Sequence, residues 1–197
     1  ELFPCFGDKT SSTQVEPIYF YQWCRCASKI FQKQPEIHYD IWSQAIMVGI
    51  ISQFVPTIMV DIRPIELKLT WLSFLEGSIL NLPFEDNEIQ SLSAICVIEH
   101  IWLWRYGDPI DAFWTEKSVK ELSRVMKSWW DLYISVPMWI KNQVQFNAHR
   151  VFEINYIKEL FKDFEIVENK YINGNNLKDL LDKDCLSAVW LFHFQKK

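Results

Sequence analysis

The sequence predicts an α/β domain built on a mainly parallel, seven-stranded sheet, with helices on both faces and an antiparallel edge strand. Three observations carry this. Short apolar runs alternate with helical patterns along most of the chain, as in a parallel sheet with crossover helices. Two of the early runs close on an acidic residue, Asp40 and Asp61. The last two runs, 164–172 and 185–195, have no long helix between them and so must pair antiparallel.

The elements follow in order. Residues 1–17 form a loose lead-in rich in Pro, Ser and Thr, and residues 18–197 form a single domain. IYFYQWCRCASKIFQK (18–33) places apolar residues at helical spacing. Ile37 and Tyr39 alternate with polar residues and lead to Asp40, a short strand and its exit loop. AIMVGIISQF (45–54) is a buried helix, and TIMVD (57–61) a second strand before Pro64. Residues 64–71 are weakly helical. LSFLEGSI (72–79) is a third strand, and LPFEDNEIQ is a turn-rich connection. SLSAICVIEHI (91–101) is a fourth strand ending in Glu99 and His100. WTEKSVKELSRVMK (114–127) has Val119, Leu122, Val125 and Met126 on one side of an amphipathic helix. A turn at Trp129 and Trp130 leads into a fifth strand, DLYISVP, followed by a polar loop over 138–150. A helix over 153–164 precedes the last two strands.

Composition narrows the functions. Hydrophobic residues are 49% and charged residues 23%, the range of soluble globular domains. No apolar run reaches the ~18 residues of a membrane helix, and the start, ELFPCFGDKT, has no signal-peptide pattern. A net charge of -5 argues against a nucleic-acid partner. Five cysteines at irregular spacing make no disulfide framework, and the C-x-C of Cys24 and Cys26 lacks the further ligands of a zinc site. Reduced thiols and a cytoplasmic setting are expected.

In open α/β sheets ligands bind beyond the carboxyl ends of the strands, where strand order reverses. Asp40, Trp42, Ser43 and Gln44 lie at one such end. Asp61 and Ile62 lie at the next, where a carboxylate can accept both hydroxyls of a ribose; an ion pair with Arg63 is the plain alternative. Here the chain resembles the class I S-adenosylmethionine-dependent methyltransferases. LPFEDNEIQSL…VIEHI resembles the stretch around the fourth strand of small-molecule members, and KELSRVMKS followed by DLYISVP resembles their helix, Gly-Gly turn and fifth strand. The nearest likeness is to an uncharacterised bacterial methyltransferase-like family with the pattern DIGS, DIRP, EHIGLGRYGDP and NAHR. This chain has DIWS (40–43), DIRP (61–64), EHIWLWRYGDP (99–109) and NAHR (147–150).

The resemblance implies a Rossmann-like fold, S-adenosylmethionine as cofactor and a small-molecule acceptor, a sugar or cell-envelope precursor by family association. It places the methionine end of the cofactor at Asp40, Trp42, Ser43 and Gln44, the ribose at Asp61 and Ile62, and the adenine beside Ser78 and Ile79. Glu99, His100 and His149 are the candidate acid–base groups, His being suited to proton transfer near neutral pH. Arg105, Tyr106, Asp108 and Arg150 are candidate acceptor contacts. Each has a structural alternative, as a brace for its own loop. A non-catalytic domain that binds a ligand or protein partner is the competing function.

The departures from the pattern share one form. Trp42, Trp102 and Trp104 replace its glycines, and Trp129 and Trp130 replace the Gly-Gly turn. Trp71, Trp114, Trp139 and Trp190 also stand where glycine would be unremarkable. The chain has 10 Trp and only 5 Gly. Counting these nine as glycine restores the ordinary level of about 7%. One explanation covers them all: a gene whose UGA codons mean glycine, written out as tryptophan; a divergent, genuinely tryptophan-rich protein is the alternative.

Overall fold

The computed structural model describes residues 7, 10–101, 103, 113–181, 185 and 187–197. Among them, helix α1 (Pro17–Lys33) is capped by Glu16, whose carboxylate accepts the Tyr19 amide at 2.7 Å. Strand β1 (His38–Ile41) leads to α2 (Ala45–Ile51), then β2 (Thr57–Asp61), β3 (Leu72–Glu76) and β4 (Ile89–Ile95). Helix α3 (Trp114–Val125) runs directly into β5 (Met126–Trp139). A small hairpin, β6 (Gln143–Gln145) and β7 (His149–Val151), precedes α4 (Ile154–Leu160). The chain ends with β8 (Phe164–Asn173), β9 (Asn176–Lys178) and β10 (Ser187–Lys196).

The main sheet has eight strands in the order β3-β2-β1-β4-β5-β10-β8-β9. The pairings among β3, β2, β1, β4 and β5 are parallel. Those of β10 with β5 and β8, and of β8 with β9, are antiparallel. The architecture is therefore the expected α/β one, with two corrections. The sheet gains an eighth strand, because the Asn173–Asn176 reversal folds a further short strand back onto β8. The antiparallel part spans three pairings, because β10 inserts between β5 and β8 instead of lining the edge.

Both faces are covered. On one, Cys26 and Ile30 of α1 meet Met47 and Ile51 of α2 over Ile95 and Tyr133. On the other, Val119 and Leu122 of α3 and Ile157 of α4 pack over Leu92, Leu132, Ile134 and Phe192. The amphipathic pattern read for α3 is this buried stripe.

Several local expectations give way to tertiary structure. Residues 64–71 hold no helix. Strand β4 starts and stops early, and Cys96 at φ +54 breaks it, so Glu99 and His100 stand on the turn beyond it. The polar loop contains the β6–β7 hairpin. The turn at Trp129 and Trp130 is a bulge inside β5. The pairing register shifts between Ile89 and Ser91 of β4, so that Met126 and then Asp131 are their partners, and Trp129 adopts φ +68.

The LPFED segment is held by one arginine. Arg124 donates to both Glu121 carboxylate oxygens at 2.9 and 2.7 Å, to Asp86 at 2.8 Å, and to the carbonyls of Phe84 and Leu82. Glu121 in turn accepts the Leu82 amide at 2.8 Å. Replacing Arg124 with alanine is expected to cost about 1–2 kcal/mol, after allowing for the partial exposure of the cluster. Urea unfolding reads this directly, and a loss within about 0.5 kcal/mol would place the clamp among ordinary surface contacts.

Candidate functional site

Strand order reverses between β1 and β4, since the next strands of each half, β2 and β5, lie on opposite sides of this pair. The crevice beyond their carboxyl ends is the expected ligand position in an open α/β sheet. Asp40 sits there, fully buried. One carboxylate oxygen accepts the Ser43 amide at 3.0 Å, and the other accepts the Ser93 hydroxyl. The Ser43 hydroxyl accepts the Ile95 amide at 3.0 Å. The β1–α2 turn is thereby fastened to β4 on both sides of Trp42. Trp42 itself donates its amide to Val60 at 3.1 Å and adopts φ +58, the left-handed region that suits glycine. Its half-buried indole packs against the core. Gln44, the N-cap residue of α2, is exposed.

The network continues inward. His38 Nε2 lies 2.9 Å from the Ser93 hydroxyl and Nδ1 lies 2.9 Å from the Ser91 hydroxyl. Ser93 gives its single proton to Asp40, so it must accept from His38 Nε2–H. Nδ1 then holds the lone pair and accepts from Ser91. Sequence reasoning missed His38, Ser91 and Ser93 as members of this network. The signal was present: two polar pairs at i and i+2, 38/40 and 91/93, share one face of neighbouring strands.

Burial raises the Asp40 carboxyl to about 6, against the pull of its Ser93 and Ser43 hydrogen bonds, and the same burial lowers His38 to about 3. The signs oppose. Stability contributed by Asp40 is full below its unfolded value near 3.8 and is lost as pH rises through about 6. Stability contributed by His38 is full above its unfolded value near 6.5 and is lost as pH falls toward about 3. Between roughly pH 4 and 6 the two slopes cancel. Asp40→Asn removes one of them, so its stability is expected to fall by about 1.4 kcal/mol per pH unit on acidification across that window. Urea midpoints at three pH values check this, and a flat profile in the variant would refute the opposition.

Asp61 is buried at the end of β2. Its carboxylate accepts the Arg63 amide at 2.9 Å and pairs with the Arg63 guanidinium at 3.3 Å, the ion pair weighed from the sequence. Ile62 is exposed. The Asp61 carbonyl accepts the Gly77 amide at 3.1 Å. A Cβ on Gly77 would meet Val60 at 2.8 Å and Pro83 at 2.9 Å, so glycine is required for this close approach. Beyond it the Ser78 hydroxyl faces the Leu80 amide at 3.4 Å, and Ile79 is buried in the core.

A second cluster forms beyond β4. The carbonyl of buried Glu99 accepts the Arg150 amide at 2.8 Å, which docks β7 onto this turn. His100 Nδ1 lies 2.8 Å from the Ala148 carbonyl and so carries the proton. Its Nε2 stands 3.8 Å from the Glu99 carboxylate. The His149 ring lies 5.9 Å from that of His100. Arg150 is buried and donates to the Ile101 carbonyl at 2.5 Å, the bracing role. The fold thus gathers Glu99, His100, His149 and Arg150 in one place, and Asp40, Ser43, Asp61 and Ser78 along the neighbouring strand ends. Arg105, Tyr106 and Asp108 lie outside the described residues, as do Trp102 and Trp104.

Comparison with solved structures places the fold. The chain superposes on a protein of Galdieria sulphuraria, described as a candidate sarcosine dimethylglycine methyltransferase, with TM-score 0.67 and 13% identity, over 94% of this chain and 92% of that one. It superposes on the N-methyltransferase NodS of Bradyrhizobium japonicum, solved with S-adenosyl-l-homocysteine, with TM-score 0.67 and 11% identity, over 96% and 92% of the two chains. A Thermotoga maritima SAM-dependent methyltransferase gives TM-score 0.58 and 16% identity, over 91% and 92%. The fold is therefore the Rossmann-like fold of methyltransferases. No curated protein matches the sequence. At the level of sequence, the chain belongs, through residues 52–196, to the family described as "Caenorhabditis protein of unknown function, DUF268".

Proposed function

We propose that this domain transfers the methyl group of S-adenosylmethionine to a small acceptor. The observation that carries the reading is the acid-bearing turn Asp40–Gln44, fastened to β4 at the point where strand order reverses. Asp40 and Ser43 would hold the methionine end, Asp61 the ribose after exchanging its Arg63 contacts, and Ser78 the adenine edge. The cofactor supplies an electrophilic methyl group on a sulfonium. Holding the acceptor in line with it supplies most of the acceleration, so a protein nucleophile is not required. Glu99, His100 and His149 stand together on the acceptor side, where an imidazole can take the proton that the acceptor loses. Arg150 positions the hairpin that brings His149 there.

One residue opposes this reading in the chain as written. Trp42 has glycine-type backbone at the turn the cofactor must approach, and Trp129 has it at the β5 bulge. The resemblance expects glycine at both. The other tryptophans at such positions are less uniform: Trp114 and Trp190 are buried in the core. Trp190 lies with its ring centre 3.9 Å from that of Phe192, closer than the usual aromatic spacing of about 4.5–7 Å. Glycine at 42 and 129, encoded by UGA, fits the backbone at both. The coding DNA tests this, and UGG at these positions would end the idea.

Trp42, together with the Arg63 pair on Asp61, favours the competing reading for the present chain: a methyltransferase-like domain without turnover. Calorimetry with S-adenosylmethionine on the Trp42→Gly chain separates the two. No binding at millimolar cofactor ends the enzyme reading.

A further inference from the structure

A cleft of about 630 Å³ opens where the amino end of α1, the ends of β5 and β8, the start of β10 and the β6–β7 hairpin converge. Its size is that of a small-molecule site, typically about 300–1,000 Å³. The walls are largely apolar, from Pro17, Ile18, Pro137, Val151 and Val189, with Asn173, Asn175 and His149 among the polar groups. It joins the cluster beyond β4 through His149, whose ring stands 5.9 Å from His100. The hairpin that roofs it is anchored by the Arg150 amide on Glu99 and by the mutual bonds of Trp139 and Phe152 with Phe152 and Pro137, at 2.9 and 3.0 Å.

Among its described lining residues Glu16 carries the acidic side chain, and neither lysine nor arginine is among them. An anionic acceptor would face the Glu16 carboxylate. An ammonium would keep partial hydration and gain that carboxylate, while an apolar body covers Ile18 and Val189. We propose that this cleft receives the methyl acceptor and that the acceptor is an amphipathic amine, with neutral alcohols bound less well and carboxylates or phosphates least. The assignment rests on the methyl-transfer reading. An amine arriving protonated gives its proton to an imidazole, His149 being the one in the cleft. Its freed lone pair forms the new carbon–nitrogen bond as the carbon–sulfur bond breaks, with that electron pair remaining on sulfur.

Three probes with one apolar body test the class: phenethylamine, phenethyl alcohol and phenylacetate, titrated calorimetrically into the whole chain. The amine is expected to bind at least about fivefold tighter than the carboxylate, a preference in keeping with a partly exposed charge. Glu16→Gln keeps a carbonyl oxygen for the Tyr19 cap and is expected to shrink the ratio to about twofold or less. Asn173→Asp, nearly isosteric, is expected to enlarge it. Thermal unfolding of each variant establishes that it is folded. Phenylacetate binding as tightly as the amine, no probe binding at millimolar concentration, or a ratio indifferent to both substitutions would overturn the proposal. A parallel titration of the Trp42→Gly chain with S-adenosylhomocysteine keeps the two readings apart. Amine selectivity without cofactor binding would remove the methyl-transfer role and leave a cationic-ligand cleft. Cofactor binding without amine selectivity would remove the acceptor class alone.

Discussion

Trp42→Gly is expected to convert a chain with no measurable affinity for S-adenosylhomocysteine into one that binds it at micromolar concentration, a gain of a hundredfold or more. The backbone at position 42 already has φ +58, so glycine needs no rearrangement of the turn. Around it, the Asp40 bond to the Ser43 amide and the Ser43 bond to the Ile95 amide hold the flanking residues independently of the indole. What the substitution removes is bulk at a place where a ligand must approach the main chain closely, the usual reason for glycine at such turns. Two energies oppose each other in stability. Relief of left-handed strain returns about 1–2 kcal/mol, and loss of a half-buried indole packed on the core costs a comparable amount. Stability should therefore change little while binding changes greatly. Titration of both chains, with their urea midpoints, reads the two effects separately. Equal, undetectable binding in a folded variant would end both the role given to Trp42 and the enzyme reading.

The second effect has a sign opposite to that normally expected of a large-to-small change. Trp129→Gly is predicted to stabilise the fold by about 0.5–1 kcal/mol. Trp129 is 67% exposed, so its removal forfeits little burial. Its φ of +68 lies in the region that a Cβ makes costly, at a bulge where glycine is the favoured residue. Against the strain relief stands the greater freedom of glycine in the unfolded chain, about 0.5–1 kcal/mol, which is why the net gain is modest. For a domain of this size that gain raises the melting temperature by about 1–4 °C. A lower melting temperature would mean that the indole makes a contact worth more than the strain. Trp190→Gly is the useful contrast: Trp190 is fully buried between Tyr171 and Phe192, and the ordinary cost of a cavity should appear there.

Periodicity placed the elements well where local and tertiary demands agree. Helix α3 carries its apolar stripe in its own sequence, and β2, TIMVD, is a short apolar run that ends on its acid. It placed them poorly where a distant partner decides. The 138–150 segment reads as polar loop because its residues face solvent on one side, yet β6 and β7 pair with each other and β7 docks on Glu99. Strand β4 ends at Ile95 because Cys96 takes a left-handed conformation and Gln22 of α1 donates to its sulfur at 2.9 Å. No window of sequence around Cys96 contains Gln22.

The candidate site divides in the same way. The sequence alone determined the α/β alternation and the acids near the ends of β1 and β2. Both are local facts, set by residue type and spacing. The tertiary structure alone decided that Asp40 shares a buried network with Ser93 and His38, and that Glu99 and His100 meet His149 and Arg150. It also decided where the cleft beside His149 lies. These depend on strand order and register, which bring together residues about fifty positions apart. Such contacts are fixed by how whole faces bury one another, and that information is spread over the chain instead of residing at any one motif.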